Sequence, residues 1–236
     1  MNLTLKLFQR ELLVAPRRRF FYLKRMSLPL CASLIMLWGV PMALLAQSSM
    51  AGLTLMNSLF FPALFIIVPY AMGSAGGLIQ KERDERTLGL LLISDISSWG
   101  CICGKLISVA FSALMLLLSV APMCLLTVSM GGVSAGQILA ALCVLISTLF
   151  FCACLGLLAG ALATTERNMN GIWLSAAIIY FAVIPFALMV FSDITSKDFT
   201  FILSVISPFN AMSNAIRGLN FPMIALSCLV HLIMGL

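Results

Sequence analysis

Runs of about twenty apolar residues recur along this chain, and the short segments between them hold nearly all of its charge. That alternation restricts the fold more than any motif does. A hydrocarbon layer about 30 Å thick is crossed by about 20 helical residues. Within it, every backbone N–H and C=O must find its partner inside the helix. The runs fall at 27–46, 57–79, 106–128, 138–163, 171–191 and, shorter, at 221–236. Only 9% of the 236 residues are charged, whereas a soluble domain carries about 25%. Water could not solvate the surface such a chain would present. The expected fold class is an all-α integral membrane protein with about six transmembrane helices. No polar stretch is long enough for an ordinary soluble enzyme domain.

The basic residues outnumber the acidic ones, 14 to 8, but their positions point to lipid and not to nucleic acid. Lys6, Arg10, Arg17, Arg18, Arg19, Lys24 and Arg25 precede the first run. Lys81, Arg83, Arg86 and Lys105 share the segment between the second and third runs, and Arg167 lies between the fourth and fifth. With the N-terminus cytoplasmic, all of these face the cytoplasm and only Lys197 and Arg217 face outward, as the positive-inside rule requires. Tyr22, Trp99 and Trp173 fall at near-side ends of runs, where interfacial aromatics belong. The cationic segments are expected to meet anionic headgroups.

Residues 1–26 are expected to form an amphipathic basic segment lying in the interface. Leu5, Phe8 and Leu12 share one helical face there, while Lys6 and Arg10 share another. This basic preface, with the length of the apolar run after it, argues against a cleaved signal. Residues 47–56 are expected to turn on the far side, and 164–170 on the near side. Residues 199–220 contain Pro208, Asn210, Asn214 and Arg217, costly groups against lipid. They are expected as helices packed at, or dipping into, the far face. The run 221–236 is either a short span or part of a sixth helix.

The loop 80–105 is the most informative segment. Its start is dense with charge, and Glu82 precedes Arg86 by four residues, a favourable helical pair. Leu88, Leu91 and Leu92 then give an apolar stripe. On physical grounds alone this is a charged loop with an interfacial helix.

The order of residues in that loop also resembles a family. A charged turn leads to Arg86-Thr87-Leu88-Gly89-Leu90-Leu91-Leu92, then Ser94-Asp95-Ile96-Ser97, then Gly104-Lys105 entering a run. This is similar to the ABC-2 type permeases, the transmembrane subunits of ABC transporters. Arg10-Glu11-Leu12 with Arg17–Arg19 is similar to their basic lead-in, and Ser207-Pro208-Phe209-Asn210-Ala211 to their segment between helices five and six. Ser94-Asp95 stands where the family usually has Thr-Pro.

The resemblance implies a cytoplasmic coupling helix between spans two and three, seated in a cleft of a separate ATP-binding subunit. It gives that role to Glu82, Arg83, Glu85, Arg86, Thr87 and Leu88. It implies a permease, most naturally an exporter, in a prokaryotic cytoplasmic (inner) membrane. The permease would pair with a second copy or a paralogous permease. This chain would bind no cofactor and would not be an enzyme, ATP and Mg acting at the partner ATPase. The alternative is a membrane anchor or assembly factor that transports nothing.

Other patterns lead less far. Gly100 to Lys105 is similar to a phosphate loop but has three residues between its glycines instead of four, and Leu106 follows the lysine. Gly132-Val133-Ser134-Ala135-Gly136 fits the nucleophile-elbow spacing without the strand-to-helix context or a histidine nearby. His231, the sole histidine, is expected to hydrogen-bond between helices. Cys101-x-Cys103 and Cys152-x-Cys154 fit soft-metal spacing, although Cys and Met are ordinary apolar fillers. Gly73-x-x-x-Gly77 and Gly156-x-x-x-Gly160 are expected to let helices approach closely.

Overall fold

The computed structural model describes residues 19–45, 51–84, 98–187, 190, 202, 205–218 and 221–235. Among these residues the chain is all-helical and contains no strand. In chain order the helices are α1 (Arg19–Leu45), α2 (Ala51–Asp84), α3 (Ser98–Leu118) and α4 (Ala121–Ser129). They continue with α5 (Ala135–Leu162), α6 (Glu166–Ile178), a π-helical turn (Ile179–Val183), α7 (Pro208–Arg217) and α8 (Phe221–Gly235).

Four helical stretches are long and apolar enough to cross a membrane: Ala51–Asp84, Ile102–Ser129, Ala135–Leu162 and Glu166–Ala187. The chain is therefore a membrane protein. The first and last expected spans correspond to shorter apolar helices, Pro29–Pro41 and Phe221–Gly235.

The helix boundaries differ from the apolar runs for physical reasons. α2 begins at Ala51, inside the stretch expected to turn, and continues through Lys81, Glu82, Arg83 and Asp84. Charge ends an apolar run but not a helix, because Lys, Glu and Arg are good helix formers. At about 1.5 Å per residue, α2 is about 51 Å long and outreaches the hydrocarbon layer. Its last turn carries Lys81 and Arg83, a placement the helix dipole favours.

α1 already includes Arg19, so the described part of the expected interfacial segment is continuous with the first helix; residues 1–18 lie outside the described residues. The third run is broken at Ser119–Val120, where Pro122 opens α4 near its first position. α6 starts at Glu166, inside the expected near-side turn. The Thr165 hydroxyl caps it by accepting from the Asn168 amide at 3.3 Å.

α5 is the central helix and touches α2, α3, α6, α7 and α8. Its most extensive contact is with α2, where small residues let the two backbones meet. A Cβ on Gly156 would fall 2.7 Å from Met72 Cα, and one on Gly160 would fall 2.9 Å from Gly76 Cα. The Gly156/Gly160 pair thus does what its spacing suggests. Gly73 and Gly77 do not, since each faces open space. The glycine of α2 used in the crossing is Gly76.

α7 dips into the far half of the bundle. Its last turn lies beside the start of α5, where Gln137 Nε2 donates to the Ile216 carbonyl at 2.9 Å. Gly218 closes it in the left-handed conformation, at φ 69°. Its other end reaches inward, with the Phe209 ring against Phe61, Phe65 and Phe181. Pro208, Ala211, Met212, Ala215 and Ile216 are its buried face. Asn210, Ser213 and Asn214 are half-exposed and Arg217 exposed. The polar residues Asn210, Asn214 and Arg217 thus lie on the side of α7 away from its buried face.

Candidate functional site

Two groups of polar side chains in the described bundle join different helices through several bonds at once. The first is at the near end, where α2 and α5 end and α3 and α6 begin. Gln80 continues the Met72–Gly76 row of α2 by one more step of four and is 3% exposed. Its Nε2 donates to the Gly160 carbonyl at 3.0 Å and the Ala163 carbonyl at 2.9 Å. Arg83 donates to the Ala161 carbonyl at 3.2 Å. The last carbonyls of a helix have no partner within it and carry its negative dipole end. Two side chains of α2 therefore cap α5, one of them with a full positive charge.

The ion pair at this end joins α2 to α3. Lys105 Nζ lies 2.6 Å from Glu82 Oε2, with side chains 10% and 16% exposed. Glu82 and Lys105 bracket residues 85–97, so the pair closes the base of that segment. The expected helical partner of Glu82, Arg86, lies outside the described residues; a partner within them is Lys105. On the α6 side, the Met169 sulfur packs against Gly76, and Trp173 Nε1 donates to Asn170 Oδ1 at 2.9 Å.

Two of the six residues singled out in the sequence, Glu82 and Arg83, are thus placed together at the end of α2, each holding another helix. Glu85, Arg86, Thr87 and Leu88 lie outside the described residues, as does most of the apolar stripe. Gln80 was missed by sequence reasoning. Its one visible signal is that it is the last uncharged polar residue before the charge begins.

The second polar group lies inside the bundle. His231 on α8 is 1% exposed, and Tyr180 on the π-helical turn is 6% exposed. The Tyr180 hydroxyl is 2.9 Å from His231 Nε2 and 2.7 Å from the Ile206 carbonyl oxygen. His231 Nδ1 is 2.6 Å from the Ser227 carbonyl oxygen. Phe151 of α5 packs on both rings. The π turn has a local cause. Pro185 has no N–H and crowds the carbonyl one turn back, and the Ile184 N–H reaches five residues back to Ile179. The expectation that His231 bonds between helices agrees with this geometry.

The remaining motifs resolve into structure. Ser134 caps α5 by accepting from the Gln137 amide at 3.3 Å, while its own N–H donates to Gln137 Oε1 at 2.6 Å, a reciprocal capping box. Gly131 and Gly132 take positive φ ahead of it. The described cysteines are free; Cys152 is buried, Cys154 half-buried and Cys103 exposed. Cys101 is described in its backbone alone.

Chemically, the near end can hold four helix ends as one unit and carry force between them. It offers no paired nucleophile and base among the described side chains. No protein-family model matches this chain, and no curated protein matches it.

Proposed function

We propose that this chain is the membrane-spanning permease subunit of an ABC-2 type transporter, an exporter driven by a separate ATP-binding subunit that docks on residues 81–105. The observation that carries the reading is the fastening of the near end. Glu82, in the last turn of α2 before residues 85–97, is paired with Lys105 of α3, the helix that follows them. α2 also grips the end of α5 through Gln80 and Arg83. A load placed on that segment would reach the two most closely packed helices directly. A loop fastened at one end only would dissipate it.

Charge supports the same orientation. Lys81, Arg83, Lys105 and Arg167 sit at this end, and Arg19 opens α1 there, since α1 runs antiparallel to α2 with Gly39 against Leu55. Arg217 is at the opposite end. By the positive-inside rule the fastened end is cytoplasmic, on the side where ATP is. In this reading Glu85, Arg86, Thr87 and Leu88 contact the ATPase, and Glu82 and Arg83 hold the base of the contact. α1 and α8 complete six crossings, and a second permease copy or a paralogue completes the path.

The test is purification of the full chain from its native membrane in mild detergent, with quantification of co-purifying subunits. A stoichiometric ATPase is expected, lost on Arg86→Ala while membrane insertion is unchanged. A protein that purifies alone or with a partner lacking ATPase activity would mean an anchor or assembly factor. A reporter at residue 84 found outside the cell would rule the docking out.

A further inference from the structure

The contacts of His231 impose a proton count. A carbonyl oxygen can only accept, so Nδ1, 2.6 Å from the Ser227 carbonyl, carries a proton. The Tyr180 hydroxyl has one proton and two neighbours, the Ile206 carbonyl at 2.7 Å and His231 Nε2 at 2.9 Å. The Ser227 hydroxyl, 3.5 Å from Nδ1, brings its own proton and leaves the count unchanged; for the other three contacts a neutral imidazole and a phenol together bring two protons. Whichever way the hydroxyl turns, one contact joins two lone pairs.

A proton taken from water by Nε2 closes all three. Nε2–H then donates to the tyrosine oxygen, the tyrosine O–H donates to Ile206, and Nδ1–H stays on Ser227. The ring gains one positive charge and no other bond changes. We infer that His231 is a proton-binding site, and that the bound proton latches α8 to the π turn of α6 and to the backbone at Ile206 leading into α7.

The surroundings make the site conditional. Facing it are Tyr180 from the π turn, with Cys152 of α5 beside Tyr180, Phe151 of α5, and Ser227 of α8 itself, while Ser207 follows Ile206; Cys154 lies a turn further on against Gly235, and Cys228 faces Ser147 and Cys143. The described carboxylates are Glu82, Asp84 and Glu166, all at the near end, with Glu166 fourteen residues before Tyr180. A buried cation with no carboxylate beside it among the described residues is costly, and what offsets that cost is the closed chain of three hydrogen bonds. Because the π turn sets Tyr180, the latch also depends on the irregular stretch of α6. Such turns recur where function requires a displaced side chain.

The experiment uses the fact that the chain has one histidine. Histidine-selective ¹⁵N labelling of the intact protein in lipid nanodiscs reports this ring alone, with no ATPase present, so the result is independent of the proposed docking. Between about pH 8 and about pH 5, the range in which histidines exchange charge, a bare ring nitrogen is expected to give way to two protonated ones. Two protonated nitrogens throughout would equally support the site. Tyr180→Phe removes the acceptor for Nε2–H and is expected to weaken proton binding about tenfold, moving the change down by about one pH unit. A bare nitrogen persisting to about pH 5 in the unmodified protein, or a midpoint unchanged in Tyr180→Phe, would overturn the inference.

Discussion

Adding one methyl group at Gly156 tests whether the α2–α5 crossing holds this bundle together. In Gly156→Ala the new Cβ would lie 2.7 Å from Met72 Cα and 2.9 Å from its carbonyl carbon, and nearer still to the carbonyl oxygen. These are backbone atoms of another helix and cannot rotate aside. Carbon atoms rest at about 3.5–4.0 Å, so the helices must part by close to ~1 Å, and a gap of that size forfeits about a quarter to a half of each contact's attraction. Overpacking of this kind costs about 1–3 kcal/mol. The same displacement stretches the bonds from Gln80 to Gly160 and Ala163, now 3.0 and 2.9 Å, at about 1 kcal/mol each. Alanine returns about 1 kcal/mol as the better helix former. The net expected loss is about 2–4 kcal/mol. The assay is the reaction rate of Cys152, wholly buried four residues before Gly156, in detergent-solubilised protein carrying it as the sole cysteine. If the thiol reacts through opening of the bundle, the rate should rise about 30-fold or more. Gly73→Ala and Gly77→Ala are the controls, since a Cβ at either meets nothing within 4 Å; their rates should be unchanged or slower. Equal effects at Gly73 and Gly156, or none at Gly156, would refute the argument from close approach.

The same thiol readout serves two further predictions. Gln80→Leu leaves the Gly160 and Ala163 carbonyls without their described partner, and should destabilise the bundle by about 1–3 kcal/mol. A loss no larger than that of an exposed substitution such as Ile107→Ala would show that the cap contributes nothing. Lys105→Met strands the Glu82 carboxylate in a largely buried position and should cost more than Lys105→Met combined with Glu82→Leu, with a coupling of about 1–3 kcal/mol between the two sites. Strict additivity would show that the 2.6 Å pair does not fasten the loop.

The sequence shows the lengths of apolar helices and conceals which sides of them meet. A run of apolar residues is a one-dimensional signal, and the four long helices follow from it directly. Their ends do not, because a membrane boundary is no helix boundary. α2 runs on through Lys81–Asp84 since nothing in those side chains opposes it. The start of α5 is a capping box of Ser134 and Gln137, a signal that the nucleophile-elbow spacing of Gly132–Gly136 overlaid and that the apolar run, which begins later, does not carry. Registry between helices is a different kind of quantity. Gly73/Gly77 and Gly156/Gly160 have identical spacing, yet one pair faces open space and the other touches backbone. The choice is made by where Gln80, a further turn along, finds the carbonyl end of α5, and that depends on two segments 80 residues apart. Tyr180 and His231 show the same limit, being 51 residues apart on different helices. In a soluble protein such residues could turn to water. In a bundle facing lipid they must find each other, and an isolated polar side chain in a span therefore implies a partner whose position only the folded chain supplies.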